Sequence, residues 1–165
     1  MTDLVKPLTT ADLAGSDGEA LLALNNAHAV ELSWLEPEKL AHLVAQAFVA
    51  RRVGAADALL LTFDQAADYD SVNYLWFRER YPRFVYVDRV VVADSARGRG
   101  LARALYDDLF VAAKAAGHER IVCEVNSDPP NPASDKFHAA LGFVTVGTAA
   151  IHGGKKTVAY LERPL

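Results

Sequence analysis

The sequence predicts a single α/β (α+β) domain over residues 1–165, built on a mixed β-sheet with flanking helices. A chain of 165 residues is long enough to bury one core and short for two. Hydrophobic residues make up 52% and charged residues 23%, the balance of an ordinary globular protein. From the middle of the chain onward the patterns run strand, helix, strand, helix, strand, strand, which is typical of a mixed sheet.

The first half of the chain is predicted to hold two helices and two strands. In residues 18–35 apolar side chains recur every three or four positions, which is the period of one helical face. Pro37 opens a second, short helical stretch because proline suits the first helical position. The two strands are predicted at 47–53 and 56–64, joined around Gly54, and a polar loop follows at 64–73.

The second half holds the predicted central strand. Residues 83–93 are rich in β-branched and aromatic side chains, which favour strands. After the sequence "ARGRG" an apolar helical pattern continues to Gly117, a residue that suits a helix C-terminus. The remaining predicted elements are a strand at 120–126, a short helix ending at Gly142, and strands at 143–151 and 156–162.

Two arginines and two glycines stand between the central strand and the helix that follows it. The first N–H groups of a helix have no partner within the helix, and the peptide dipoles leave partial positive charge there. Gly98 and Gly100 can take unusual backbone angles and let an anion approach these amides, and Arg97 and Arg99 add charged donors. The combination suits a pyrophosphate. The alternative is a glycine-containing loop whose arginines face solvent.

Two stretches match the pattern of a known family. The signature [QR]-x-x-G-x-[GA] is matched by Arg97, Gly100 and Ala102 in a strand, loop and helix setting. The later segment "NPASDKFHAALGF" (131–143) is similar to N-x-x-A-x-x-x-Y-x-x-x-G-F. Its matching positions are Asn131, Ser134, Gly142 and Phe143. Residues 84–161 therefore resemble the GNAT superfamily of acyl-CoA-dependent N-acetyltransferases.

The resemblance implies a single-domain GNAT-like fold and a binding site for acetyl-CoA as the acyl donor. In that fold the mixed sheet is mostly antiparallel and its central strand pair is splayed. The strand edge at Val90 and Val92 would offer backbone groups to the pantetheine arm, and the amides of residues 97–102 would hold the pyrophosphate. The implied cofactor-binding residues are Val90, Val92, Arg97, Gly98, Arg99, Gly100, Leu101, Ala102, Asn131 and Ser134.

Acyl transfer to an amine needs a base that removes a proton from the amine and a proton for the leaving thiolate. Strand alternation would place Phe84, Tyr86, Asp88, Val90 and Val92 on one face. Asp88 is therefore the first candidate for the base. Its alternative role is an ion pair with Arg89, Arg103 or another surface cation. Glu124, on the next predicted strand, is the second candidate.

The family commonly places a tyrosine, acting as general acid, where this chain has His138. An imidazole with an ordinary pKa of about 6.5 can donate a proton at neutral pH, so His138 is the candidate acid. The alternatives for His138 are packing against the cofactor or an exposed helix position. Tyr81, Tyr86 and Tyr106 are alternative phenols for the acid, although no motif places them. Cys123 lies in an apolar strand pattern, with no histidine placed beside it, so direct transfer is expected rather than a covalent enzyme intermediate.

The expected function is an N-acetyltransferase that acetylates a primary amine of a small molecule or a peptide. A non-catalytic acyl-CoA-binding regulatory module is the alternative. Acidic residues before the central strand favour a cationic acceptor, although those at 64–70 could instead form a solvated loop; they are Glu31, Glu36, Asp64, Asp68 and Asp70. The aromatic run at 73–81 is expected to pack the sheet edge, with a wall of the acceptor pocket as the alternative.

Charge and composition exclude several other classes. A net charge of −4 argues against a dedicated nucleic-acid binder, which normally carries clustered Lys and Arg in excess. With a single cysteine the chain cannot form a thiolate metal cluster, and no metal site is expected. The N-terminus lacks the basic start of a signal peptide, and no window approaches the length of a membrane span. We expect a cytoplasmic protein without membrane partners, in which an exposed final strand could support a homodimer.

Overall fold

A computed structural model describes residues 4–165 and leaves the first three residues of the N-terminal stretch outside the description. It contains one seven-stranded sheet in the order β1-β2-β3-β4-β5-β7-β6. The strands are β1 (Val5–Pro7), β2 (Ala50–Val53), β3 (Ala58–Asp64), β4 (Val85–Val92), β5 (Arg120–Asp128), β6 (Val144–Ile151) and β7 (Lys156–Pro164). Only the β4–β5 pair is parallel among these described strands, so the predicted mixed, mostly antiparallel sheet is confirmed.

Five α-helices cover the two faces of this sheet. They are α1 (Ser16–Ala27), α2 (Pro37–Gln46), α3 (Val72–Arg78), α4 (Leu101–Ala115) and α5 (Pro132–Ala140), with short 3-10 helices at Thr10–Leu13 and Asp94–Ala96. One hydrophobic core lies between the sheet and α1, α2 and α3. The other lies between the sheet and α4 and α5. The α4 helix and the last two strands follow the sequence prediction closely.

The central strands β4 and β5 separate soon after they meet. Their pairing consists of Val85 opposite Ile121 and Tyr86 opposite Val122. Beyond these two pairs the backbone groups of β4 that face β5 have no strand partner within residues 4–165. Buried backbone groups normally find a hydrogen-bonding partner, so this gap is a place where a ligand can supply one. The predicted splayed central pair is confirmed.

A β-bulge lies in the strand at the point of separation. On the other side of β4, Leu61 is opposite Arg89 and Thr62 is opposite Val87, so Asp88 is the extra residue. A bulge bends its strand and increases the local twist. It also shifts the alternation of side chains by one residue. The predicted single face from Phe84 to Val92 is therefore wrong: Phe84 and Tyr86 point into the core under α1, α2 and α3, whereas Val90 and Val92 point toward the core under α4.

The first helix is shorter than its apolar pattern predicts. It ends at Ala27, and residues 28–32 form turns. The side-chain amide of Asn25 donates to the carbonyl oxygen of Ser33 at 3.0 Å, and the side chain of Asn26 bonds the backbone N–H and C=O of Leu35 at 2.9 Å each. Asparagine side chains compete with helical backbone bonds in this way. The predicted helix over 18–35 is therefore wrong beyond Ala27.

The α3 helix was not predicted from the sequence, because it has only seven residues, most of them buried or aromatic. Its Trp76 ring stacks on Tyr160 of β7 with ring centroids 4.1 Å apart, and the Arg80 guanidinium lies 3.8 Å from the Trp76 ring centroid. Trp76 of the aromatic run packs against β6 and β7 at one edge of the sheet, as expected, whereas Asn73 at the start of the run lines a cavity, as the alternative had it. This packing also fixes Asn73, at the start of α3, against the middle of the sheet.

Among residues 4–165, no helix is both long and apolar enough to span a membrane.

The fit of Trp76 depends on a glycine in β6. A Cβ atom on Gly147 would lie 2.6 Å from Trp76 Cζ2, so Gly147→Ala forces the indole out of its stack. We expect a loss of about 1–3 kcal/mol in the free energy of unfolding, as for other overpacked sites. Urea denaturation measures this loss. Thr148→Ala, an exposed position on the same strand, is the matched control and should change stability by less than about 0.5 kcal/mol. Equal effects of the two substitutions would contradict the predicted clash.

Candidate functional site

The gap between β4 and β5 opens into a cleft of about 530 Å³. Its walls come from both splayed strands, the loop at Arg97 and the start of α5. Of the predicted cofactor-binding residues, those that line this cleft are Val90, Val92, Arg97, Asn131 and Ser134. The others lie at the start of α4, at the end of the cleft: Gly98, Arg99, Gly100, Leu101 and Ala102. The structure therefore gathers the two matched segments around a single opening.

The loop before α4 depends on its glycines for backbone conformation. Gly98 has φ +79° and Gly100, which caps the helix, has φ +73°. Other residues incur a steric penalty in this left-handed region. A Cβ atom at either position would meet no atom within 4 Å, so space is open in front of the loop. The first intrahelical bond runs from the N–H of Ala104 to the Gly100 carbonyl, which leaves the preceding amides available to an anion.

The two arginines of this loop are held by neighbouring carboxylates. Arg97 pairs with Asp94 at 2.9 Å and keeps 67% of its side chain exposed. Arg99 pairs with Asp57 at 3.4 Å and is 50% exposed. A guanidinium has five N–H donors, so each arginine retains donors for a further anion. Only Arg97 of the two lines the cleft.

The opposite wall of the cleft begins with a helix cap. Asn131 Oδ1 accepts a hydrogen bond from the N–H of Ser134 at 3.3 Å, which is the usual role of asparagine at a helix N-cap. The hydroxyl of Ser134 lies 3.2 Å from Nδ1 of His138, and both Asn131 and Ser134 line the cleft. Asn131 and Ser134 thus combine a local structural role with a position facing the opening.

His138 lies under this wall and is 6% exposed. Its Nδ1 is 2.8 Å from the carbonyl oxygen of Ser134, which can only accept, so Nδ1 carries the proton. Its Nε2, 2.9 Å from the Tyr106 hydroxyl, then accepts from that hydroxyl. Burial lowers the pKa of His138, which keeps the ring neutral. His138 lines the cleft, but both of its ring nitrogens are engaged inside the protein, so this arrangement gives no support to a role as general acid.

A second cavity of about 700 Å³ opens on the other side of the sheet junction. It lies between the turn after α1, the start of α3, and the β6–β7 hairpin. A few residues line both this cavity and the cleft: Glu31, Leu32, Asp88, Glu124 and Asn126. The two cavities therefore meet at the splayed strands, and Glu124 of β5 lies at their meeting point.

The carboxylate of Glu124 is held by two donors. The Tyr86 hydroxyl donates to Oε2 at 2.7 Å and the Asn73 amide donates to Oε1 at 3.1 Å. The Tyr160 hydroxyl donates to Asn73 Oδ1 at 2.9 Å and fixes that amide in turn. Burial raises the pKa of Glu124 to about 7, with a further contribution from the negative charge of Asp88. A carboxylate with this pKa can take up a proton near neutral pH.

Asp88 is engaged by other side chains. Arg89 Nε donates to its Oδ2 at 2.8 Å, and both side chains are 5% exposed. The Tyr69 hydroxyl donates to its Oδ1 at 2.6 Å. The ion pair with Arg89 is one of the alternatives raised by the sequence. With a buried cation at one oxygen and a phenol at the other, Asp88 is poorly placed to take a proton from a substrate.

The buried ion pair connects both walls of the second cavity. Arg89 Nη1 donates to Asn25 Oδ1 at 2.8 Å, and the amide of Asn25 holds the Ser33 carbonyl. Tyr69 and Ser33 line the cavity from different segments. Sequence patterns gave no sign of Asn25 or Asn73 as site residues, because their partners are distant in the chain.

Most of the acidic residues that the sequence predicted for the acceptor pocket do not line the second cavity. Of the five acidic residues proposed from the sequence, only Glu31 lines the second cavity; Glu36, Asp64, Asp68 and Asp70 do not. The cavity therefore gives no support to a strongly acidic acceptor wall.

Cys123 lines the cleft but is only 3% exposed. Burial raises its pKa well above the ordinary value, so the thiol is a packed and unreactive group. Among residues 4–165, no three or more His, Cys, Asp or Glu side chains are grouped so as to hold a metal ion.

Comparison with known proteins agrees with this arrangement. Residues 67–143 match the acetyltransferase (GNAT) family. Phosphinothricin N-acetyltransferase of Streptomyces coelicolor is 41% identical over 80 residues, which cover 46% of this chain and 46% of that protein. The matched segment thus spans about half the length of this curated relative.

Solved structures share the fold over nearly the whole chain. A ribosomal-protein-alanine N-acetyltransferase of Brucella melitensis has a TM-score of 0.70 at 22% identity, covering 98% of this chain and 99% of that one. A GCN5-related N-acetyltransferase of Kribbella flavida has a TM-score of 0.69 at 19% identity, with 100% of both chains covered. The NatC complex bound to Gag peptide and CoA has a TM-score of 0.73 at 14% identity, covering 98% and 97%.

Residues 67–143 thus match the acetyltransferase (GNAT) family, within a fold that solved N-acetyltransferases share over nearly the whole chain.

Proposed function

We propose that this protein is an N-acetyltransferase that transfers the acetyl group of acetyl-CoA directly to a primary amine of a small molecule or a peptide. The observation that carries the proposal is the meeting of two cavities at Glu124. One cavity suits the donor and the other suits the acceptor. A carboxylate whose pKa is about 7 stands between them.

Acetyl-CoA fits the cleft by its chemistry. The pyrophosphate would bind the free amides at the start of α4, with Arg97 beside them. The amides of the pantetheine arm would pair with the unpaired backbone of β4 near Val90 and Val92. The NatC complex, whose fold is similar, was solved with CoA bound, and this supports the same donor for the present chain.

Glu124 is proposed as the base. Amines such as that of lysine have a pKa of about 10.4, so the acceptor arrives largely as an ammonium ion. Glu124 takes one proton from it, and the nitrogen lone pair attacks the thioester carbonyl. Backbone N–H groups of the unpaired part of β4 would stabilise the developing oxyanion. The C–S bond then breaks, the amide forms, and the nitrogen loses its remaining excess proton.

The leaving thiolate needs no side-chain acid in this proposal. A thiol has a pKa of about 8.5, so its anion is a good leaving group, and it can take its proton from water or from the attacking nitrogen. Cys123 has no role as a nucleophile because it is buried and packed. Transfer is therefore direct.

The cytoplasmic location and the homodimer stay predictions. The expectation that the final strand is exposed is wrong, because β7 lies between β5 and β6. The strand at that edge of the sheet is β6, with Val144 58% and Val146 37% exposed. Exposed edge strands can pair with a second copy.

Gly100→Glu tests the donor site. The new side chain disfavours the left-handed backbone and places a negative charge where the pyrophosphate would bind. We expect the Kd for acetyl-CoA, measured by calorimetry, to rise by at least about 100-fold. Gly117→Glu is the control, because Gly117 also has a positive φ, at +82°, and a Cβ atom there would meet only the tip of the Arg83 side chain, but it lies beyond the other end of α4. A wild-type protein that binds no acetyl-CoA, or a Gly100→Glu variant that binds normally, would contradict the proposed donor site.

Glu124→Gln tests the base. The wild-type kcat/KM should rise with pH through an apparent pKa near 7, because Glu124 must be deprotonated to act. In the variant the rise of kcat/KM through this pKa should disappear, and kcat should fall by about 100-fold or more. The Kd for acetyl-CoA should stay within about twofold of the wild-type value. Retention of this rise with nearly normal kcat would exclude Glu124 as the base. Acetyl-CoA binding without turnover of any amine would favour the non-catalytic binding module.

His138→Phe separates packing from acid catalysis. Loss of the ring nitrogens leaves the buried Tyr106 hydroxyl without its acceptor, which should cost about 1–3 kcal/mol in the free energy of unfolding. Adding Tyr106→Phe removes the orphaned hydroxyl, so the double variant should regain part of that loss. The pH profile and kcat should stay close to wild type. A large fall in kcat for His138→Phe at normal stability would restore the acid role.

A further inference from the structure

We propose that the acceptor carries an anionic group in addition to its amine, and that Lys156 binds this group in the second cavity. The acceptor would then be a small amine of the amino-acid type, with a carboxylate or a comparable monoanion at the far end. This inference rests on the proposed function, since it assumes that the amine is placed at Glu124.

The charges of the second cavity are divided between its two ends. The Asp88 and Arg89 side chains neutralise each other in a buried ion pair. Of the remaining charged residues, Glu31 and Glu124 line both cavities and so lie at the junction. Lys156 lines only the second cavity, away from the cleft. An amine would be attracted to one end and an anion to the other.

Strand register gives the separation of these ends. Glu124 of β5 lies opposite Tyr160 of β7, and Asn126 lies opposite Val158. Because side chains alternate along a strand, Lys156 lies on the same face as Val158 and Tyr160. Four residues at roughly 3.3 Å each place Lys156 about 13 Å along β7 from the position opposite Glu124.

The Lys156 side chain is long and flexible enough to close part of that distance, whereas Glu124 is held in place by Tyr86 and Asn73. The gap left between the ammonium and the carboxylate is on the order of 5–10 Å. A single small molecule with an amine at one end and an anion at the other would span it. A peptide N-terminus could also enter, but the lysine selects for a nearby negative group.

Lys156 has no competing partner of its own. It is half-buried, and within residues 4–165 no carboxylate lies within ion-pair distance of it. The adjacent turn, with His152, Gly153 and Gly154 in left-handed conformations, also lines the cavity. A partly desolvated cation without a partner gains most from a charged hydrogen bond to a ligand.

This assignment reverses the charge expected of the acceptor from sequence. A diamine would place its second ammonium group beside Lys156, where like charges repel. A neutral amide of the same length would lose the charged contact without repulsion. The proposed acceptor class can therefore be tested by comparing amines that differ only in the charge of this second group.

The test measures acetyl transfer by release of the CoA thiol, using primary amines in matched sets. One set is 4-aminobutanoate, 4-aminobutanamide and 1,4-diaminobutane, and a second set is built on α-amino acids and their amides. We expect the wild type to prefer the carboxylate over the amide by about tenfold or more in kcat/KM, as for one charged contact. Lys156→Gln should abolish the preference. Lys156→Glu should reverse it toward the diamine.

Lys155→Gln is the matched control, because Lys155 is adjacent and exposed but does not line the cavity. It should keep the wild-type preference. Equal use of acid and amide by the wild type, or an unchanged preference in Lys156→Gln, would overturn the inference while leaving the proposed function intact. Failure of every amine, with acetyl-CoA bound, would overturn the proposed function and the inference with it.

Discussion

The site depends on a parallel strand pair that holds together for only two residue pairs. After Val85 and Tyr86, β4 turns away from β5, and the bulge at Asp88 lies where the two strands part. A bulge bends its strand and re-aims its side chains. The same local irregularity thus frees the backbone of β4 for a ligand and moves Asp88 and Arg89 toward the acceptor side. The cleft and its junction with the second cavity both lie where β4 and β5 have parted.

Two half-buried carboxylates, Asp88 at the bulge and Glu124 on β5, have different surroundings. Asp88 has Arg89 at 2.8 Å, and the pair is further held by Tyr69 and Asn25. Removing one member of such a buried pair would leave an uncompensated charge, so its role is to hold the walls of the cavity. Glu124 has only neutral donors, Tyr86 and Asn73. Burial without a cation raises its pKa to about 7, which is the reason for proposing Glu124 rather than Asp88 as the base.

The sequence predicted the parts of the fold that depend on local patterns. The central strand, the glycine loop and α4 follow one another in the chain, so local patterns predicted both this part of the fold and the proposed anion site. The errors come from contacts between distant residues. Nothing near His138 in the sequence shows that Tyr106, 32 positions away, occupies its Nε2. The bulge at Asp88 depends on pairing with β3, and the end of α1 depends on side-chain bonds of Asn25 and Asn26, so simple periodicity missed both.

The proposed mechanism requires that the splayed strands hold acetyl-CoA with its sulfur at the junction lined by Glu124. A crystal structure of the protein with CoA tests this requirement most directly. We expect the pyrophosphate on the amides of residues 97–102, the pantetheine arm between β4 and β5, and the thiol at the mouth of the second cavity beside Glu124. CoA bound elsewhere, or bound in the cleft with its thiol pointing away from Glu124, would contradict the mechanism.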